Sequence, residues 1–286
     1  MAKLTLIPTP VGNMEDMTMR AIRLLKEADL ILAEDTRTSS HLLHHFDIHT
    51  PMQSYHKFNE HKTIDTYAQR IQAGENIALI TDAGTPGISD PGFLLLRKCV
   101  QMGLEVECLP GATALIPAVV VSALPNDRFF FEGFLPQKKG RQTRLKELAE
   151  LPVTFILYES PFRIVKTLQQ LAEVCGPERQ ASVTREISKK FEETQRGSLQ
   201  ELEAYFTENQ PRGEFVICVA GKDDKSDKED KFGQDASEED FDKEEKREKK
   251  VKKNKYAREE NYARENKYAC EEKYAREEKY AREGED

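Results

Sequence analysis

The chain of 286 residues has little cysteine, and none of its five cysteines belongs to a CxxC pair. Cys99, Cys108, Cys175, Cys218 and Cys270 stand apart, mostly in apolar segments, which argues for reduced, buried thiols and against a disulfide framework. Long hydrophobic runs are also missing. The opening stretch MAKLTLIPTPVGN is too short in its apolar part for a signal peptide, and nothing later reaches membrane-spanning length. A soluble, cytoplasmic protein with no membrane partner is expected. The familiar nucleotide signatures are absent as well: no GxGxxG follows the first apolar run, and no GxxxxGKS or GxxxxGKT occurs. A ligand without a polyphosphate is therefore favoured. Without a GxSxG elbow, or a cysteine placed beside a candidate base, nucleophilic hydrolase chemistry also lacks its parts.

Aliphatic residues become scarce from Gly221 onward, where Val251 stands almost alone among 19 basic and 23 acidic residues in 66 positions. Such a segment cannot bury a core. A six-residue repeat around Tyr256, Tyr262, Tyr268, Tyr274 and Tyr280 advances a helix by about 600° per repeat, so its tyrosines form no single stripe. A solvated helix or a disordered arm is expected over 223–286.

The remainder alternates short apolar runs with helix-period segments, the pattern of α/β architecture. KLTLIP, LILAE, IALIT and EVECLP read as strands of an open parallel sheet, with PMQSY a weaker fifth. ALPNDRF breaks the alternation and divides a first domain, 1–124, from a second, 125–222. The second runs through RFFFEGF, a basic helix near 141–150, VTFILYE, a helix from Phe162 to Cys175, QASVTRE, SLQELEAYF and EFVICVA. Two tandem α/β domains enclose a cleft, and clefts at the carboxyl ends of strands are where this architecture binds ligands.

Chemistry concentrates in four turns that follow strands of the first domain: PTPVGN, AEDTR, TDAGTPG and LPGATA. Parallel strands bring such turns to one edge. LITDAGTPGISDPG puts three glycines and two prolines after a strand, a loop that is stiff and lets a ligand approach the main chain. All six histidines fall between residues 41 and 61, and His41, His45 and His49 are spaced for one helical face. With no cysteine joining them, a solvated face is preferred to a metal site. PQKKGRQTRLK gathers Lys138, Lys139, Arg141, Arg144 and Lys146 in a chain of net charge −8, which suggests a local contact with RNA phosphate. REISKKFEE adds Lys189 and Lys190.

Taken together, IPTPVGNMEDMTMRA, LAEDTR, TDAGTPGISDPG, LPGATA, FEGFLP, YESPFR, TREISKKFEE and RGEFV resemble the ribosomal RNA small subunit methyltransferase I family of the tetrapyrrole methylase superfamily, in order across roughly residues 3–222. The resemblance implies 2′-O-methylation of a cytidine ribose in the decoding region of 16S rRNA, on the small ribosomal subunit, with S-adenosyl-L-methionine as cofactor. It also implies a homodimer and an interdomain cofactor cleft. Cofactor contact carries over to Pro10, Asp82, Gly84, Thr85, Ile88, Thr113 and Ala114, and further to Tyr158 and Ala220. Phe162 stands where the family usually has histidine.

Methyl transfer to a hydroxyl needs positioning and a proton acceptor rather than a metal. Glu34 or Asp35 is the candidate base by location, with Glu186 behind them. Arg37, Lys189 and Lys190 are candidates to hold phosphate or stabilise the alkoxide. The plainer alternative is that EDTR and REISKK form salt bridges that fasten the domains. Two rival functions share some of these features, a methyltransferase acting on a tetrapyrrole precursor and a non-catalytic ribosome-binding module. The basic segment counts against the first and the intact glycine loops against the second.

Overall fold

The computed structural model describes residues 2–222; the tyrosine repeat and Cys270 lie outside the described residues. The first apolar runs become β1 (Lys3–Leu6), β2 (Leu30–Ala33), β3 (Met52–Ser54), β4 (Ile77–Ile80) and β5 (Glu105–Cys108). They form one parallel sheet in the order β3-β2-β4-β1-β5. β2 and β4 are buried along their whole length, which is why LILA and IALI read as continuous apolar runs.

The connecting helices are α1 (Met19–Glu27), α2 (Thr36–His45), α3 (Glu60–Gln72) and α4 (Phe93–Gln101). Thr18 caps α1 by accepting the Ala21 N–H at 3.1 Å, which leaves Ala21 and Leu25 facing the sheet. α2 ends at His45, so His49 does not share a helical face with His41. It lies in the following turn and contacts Asp47 at 2.8 Å. α5 (Leu115–Val121) then leads to the second half of the chain.

That half contains β6 (Phe129–Phe134), α6 (Arg141–Ala149), β7 (Thr154–Glu159), α7 (Ile164–Cys175), β8 (Gln180–Arg185), β9 (Glu193–Ser198), α8 (Leu199–Glu208) and β10 (Phe215–Val219). Its sheet runs β6-β7-β10-β8-β9 and is mixed: β6 and β7 are parallel, while β10 is antiparallel to both β7 and β8. β9, ETQRGS, pairs antiparallel with β8 at the sheet edge. Its polar sequence shows no apolar alternation and gave no strand signal. Ser198 and Glu201 form a reciprocal capping box that starts α8 directly from β9.

The two sheets are joined by an apolar layer. Ala118 and Val119 of α5 pack with Ile156, Val216 and Cys218 of the second sheet, and with Ile187 from the β8–β9 turn. Thr154 Oγ1 donates to the Pro125 carbonyl at 2.6 Å. Arg196 reaches the Val121 carbonyl from β9. These contacts fix how the carboxyl ends of β1, β2 and β4 face the second sheet. Cys99 and Cys218 are buried free thiols, Cys175 is half-buried, and Cys108 is exposed at an edge strand rather than buried.

Candidate active site

The turns after β1 and β4 are zipped together. Thr9 and Gly84 exchange backbone hydrogen bonds at 3.0 and 2.9 Å, and Thr9 Oγ1 donates to the Thr81 carbonyl at 2.9 Å. Gly84 has φ +82°, and a Cβ there would project toward Val11 and the Ala112 carbonyl, 3.7 and 4.0 Å away. Glycine is required for that backbone and keeps the space between three turns open. Thr85 Oγ1 lies 3.4 Å from the Ala112 carbonyl, so Pro10, Gly84, Thr85, Thr113 and Ala114 come together as the sequence suggests. Ile88 is on the same loop and exposed.

From β2, the Asp35 N–H donates to Asp82 Oδ1 at 3.2 Å, which draws AEDTR into the group. Asp35 itself caps α2. Its Oδ1 accepts the Arg37 N–H at 2.8 Å, and its carboxylate pairs with the Arg37 guanidinium at 2.7 Å. Those hydrogen bonds from Arg37 hold Asp35 down to about 2, so it is a poor proton acceptor. Glu34 differs. Burial, reinforced by the neighbouring Asp90 and Asp82 carboxylates, lifts it above the ordinary glutamate value. Burial also raises Asp82, and it raises Asp90 to about 6 although the Lys57 ammonium opposes the shift.

Asp90 and Lys57 did not emerge from the sequence. Asp90 closes TDAGTPGISDPG and was hidden among turn residues. Lys57 follows β3, two strands away from β4 in the sheet, yet its Nζ donates to the Ser89 carbonyl at 2.9 Å. The result is a partly desolvated trio of carboxylates, Glu34, Asp82 and Asp90, faced by Lys57. A negatively biased group of glycine-containing loops suits a cationic sulfonium cofactor and repels polyphosphate. By this test the residues present fit S-adenosyl-L-methionine, with main-chain groups around Gly84 and Thr113 to hold it and the carboxylates to face its positive charge.

The second sheet contributes Tyr158. Its hydroxyl lies against Thr113 and the Leu115 backbone, and burial raises it. Its ring meets Phe131 and Phe134 edge to face at 5.1 and 5.6 Å. Ala220 is not brought to this group. Because β10 runs antiparallel to β7, Val216 pairs with Tyr158, and Val219 pairs with Phe155 at the opposite end. Ala220 lies beyond that end, its N–H bonded to Gln180 and its carbonyl accepting from Arg179. The antiparallel direction of β10 moves this residue roughly 13 Å from the Tyr158 end at a rise of about 3.3 Å per residue.

Glu186 and Lys189 face the β1 turn but are engaged with each other. Lys189 Nζ pairs with Glu186 and Glu214 at 2.9 Å each, and Glu186 Oε1 also accepts the Glu214 N–H at 2.9 Å. Burial opposes ionisation of both, yet the pairing outweighs it, lowering Glu186 and raising Lys189. Lys189 lays its stem over Gly12, where a Cβ would come within 2.2 Å of Lys189 Cγ. Ser188 Oγ bonds Asp16 at 2.5 Å. This group fastens one half of the chain to the other.

The basic segment divides. Lys138 and Lys139 are exposed. Arg141, only 8% exposed, turns inward instead: its guanidinium donates to Gln170 at 2.9 Å, Thr167 at 2.7 Å and the Pro136 carbonyl at 3.3 Å. Arg144 is held by Glu132 at 2.5 Å and Glu147 at 2.7 Å, above the Phe130 ring. Both guanidiniums are committed within the fold, so neither offers the free charge expected of it. Arg141 falls on the face of α6 that carries the buried Leu145 and Leu148, a spacing that could have revealed its inward direction.

The sequence profile of the tetrapyrrole (corrin/porphyrin) methylases matches residues 3–203. The ribosomal RNA small subunit methyltransferase I of Synechocystis is 51% identical over 222 residues, covering 77% of this chain and 80% of that protein. The chain belongs to the ribosomal RNA small subunit methyltransferase I family. The family member from Thermotoga maritima is 40% identical over 223 residues, 78% of this chain and the whole of that one. Solved structures share the fold at low identity. A diphthine synthase superposes with TM-score 0.61 at 12% identity over 77% of this chain and 90% of its own. A uroporphyrin-III C-methyltransferase from Thermus thermophilus, solved with S-adenosyl homocysteine, gives 0.54 at 19% over 77% and 97%.

Proposed function

We propose that the chain transfers a methyl group from S-adenosyl-L-methionine to the 2′-oxygen of a cytidine ribose in the decoding region of 16S rRNA, presented on the small ribosomal subunit. Family membership supports the substrate, and the grouping of Glu34 with the Gly84 loop carries the chemistry. The cofactor supplies an electrophilic methyl group on a cationic sulfur. The chain must place the ribose hydroxyl in line with that methyl and accept its proton. Glu34 is the acceptor: it is partly desolvated and raised above the ordinary glutamate value, whereas the neighbouring Asp35 is spent on Arg37. Asp82 and Asp90 provide the negative field, and Tyr158 with Thr113 closes the site from the second sheet.

Lys138, Lys139 and Lys190 are placed to meet phosphate, while Arg37, Glu186 and Lys189 organise the surrounding backbone. The homodimer and the cytoplasmic location belong to the same proposal. Among the described residues no helix is long and apolar enough to cross a membrane. The test offers labelled cofactor to small ribosomal subunits, naked 16S rRNA, free cytidine and a tetrapyrrole precursor. Incorporation into subunits well above the other three is expected; transfer to the tetrapyrrole, or to none, would overturn the proposal.

A further inference from the structure

We infer that the carboxyl-terminal edge of the second sheet is a stacking platform for unpaired RNA bases, built from Phe134, Phe162 and Phe191, which holds the nucleotides beside the target ribose. The inference rests on the rRNA methylation proposed above.

β6 and β7 are parallel, and β7 and β8 are both antiparallel to β10, so all three point the same way. Phe134 ends β6, Phe162 lies in the turn after β7, and Phe191 lies in the turn after β8. They are 53%, 95% and 64% exposed. A phenylalanine in water gives up the burial that is its main contribution to a fold, and three at one sheet edge mark a surface that is covered in use.

The turn that carries Phe162 and the ring of Phe134 are also held by their surroundings. Arg163 pairs with the buried Glu159 at 2.7 Å, and its N–H bonds the Ser160 carbonyl at 3.1 Å, so the turn that presents Phe162 is tied at both ends. Phe134 packs on Tyr158, which lies against Thr113, so the platform adjoins the candidate cofactor loops. Lys190 Nζ stands 5.6 Å from the Phe191 ring centroid.

Charge indicates the occupant. At this edge Glu132, Glu159 and Glu186 are paired with Arg144, Arg163 and Lys189. Lys138, Lys139 and Lys190 make no ion pair among the described residues. Flat apolar rings interleaved with free ammonium groups match single-stranded RNA, whose bases stack on aromatic faces while its phosphates meet lysines. The carboxylate trio across the cleft repels phosphate and leaves room there for the uncharged ribose hydroxyl.

The chain contains no tryptophan, so Phe162→Trp and Phe191→Trp each install a lone fluorescent ring at the surface. Titration with an unstructured oligoribonucleotide and with small ribosomal subunits should quench both saturably, while cofactor alone quenches neither. Phe162→Ala and Phe191→Ala should each raise the KM for small subunits roughly 5- to 150-fold, the range of one lost base stack, with cofactor affinity unmoved. A methylating wild type whose alanine variants keep the same KM, and whose tryptophan variants stay bright, would overturn the platform alone. Quenching by subunits but not by the oligoribonucleotide would assign the surface to a ribosomal protein and also overturn it. A wild type that methylates no ribosomal substrate would remove the functional proposal, and this inference with it.

Discussion

Replacing Asp90 with asparagine keeps the side chain's shape and removes its charge, and the structure predicts opposite effects on stability and on catalysis. Burial lifts the Asp90 carboxyl from 3.8 to about 6, so at neutral pH the fold holds a charge in a place that disfavours it. The difference is worth about 3 kcal/mol, and partial solvent exposure reduces the usable part to about 1–2 kcal/mol. The sign follows from the raised value: Asp90 adds stability below the ordinary aspartate range, and that contribution is lost as pH rises through about 6. Asp90→Asn should therefore raise Tm at pH 7.5 by about 2–6 °C, with about a third of that rise at pH 4.5. Cofactor affinity should fall, because one of three carboxylates facing a cationic sulfur is gone. Thermal melts at the two pH values and a calorimetric titration of cofactor measure both effects. A Tm that drops at pH 7.5, or cofactor binding that is unchanged, would refute the reasoning.

The other predictions follow from the same geometry. Glu34→Gln should cut kcat by roughly 10²- to 10⁴-fold at saturating cofactor and, like Asp90→Asn, weaken cofactor binding, whereas Asp35→Asn, which can still cap α2, should alter kcat far less; equal losses in kcat would return Asp35 to the candidate bases. Gly84→Val should abolish cofactor binding and lower Tm, since valine tolerates neither φ +82° nor the gap between the Val11 and Ala112 turns, and titration with melting checks both. Arg141→Met should cost about 2–3 kcal/mol of stability, seen in urea unfolding, without altering the salt dependence of subunit binding. Lys138→Gln with Lys139→Gln should do the reverse, lowering the slope of log affinity against log salt by about 1.5 while the melt is unchanged.

The parts of the site legible in sequence are those where backbone chemistry carries the signal. In LITDAGTPGISDPG an apolar strand gives way to glycine and proline, and the structure makes it β4 followed by the Gly84 loop that zips to Thr9. AEDTR was equally readable, because Asp35 is an N-cap two residues before Arg37. Sequence failed where strand direction or burial decided the outcome. Ala220, carried over from the family resemblance, lies away from Tyr158 because β10 runs antiparallel to β7, a direction that nothing in EFVICVA shows. β9 was missed because ETQRGS is a polar edge strand. Arg141 looked like surface charge because its partners Thr167 and Gln170 lie on α7, distant in sequence, and Pro136 in the turn before α6. The raised state of Glu34 depends on burial first and then on Asp90, distant in sequence and adjacent only after folding.

The central claim is that the Gly84 and Glu34 loops form a site for ribose methylation, and mapping 2′-O-methyl groups tests it most directly. Small subunits from cells lacking this gene would be incubated with S-adenosyl-L-methionine and either the wild type or Glu34→Gln, and their 16S rRNA probed for alkali-resistant linkages. The account predicts one new resistant cytidine in the decoding region with the wild type and a strongly reduced signal with the variant. A methyl group on a base rather than a ribose, or undiminished ribose methylation by Glu34→Gln, would contradict it.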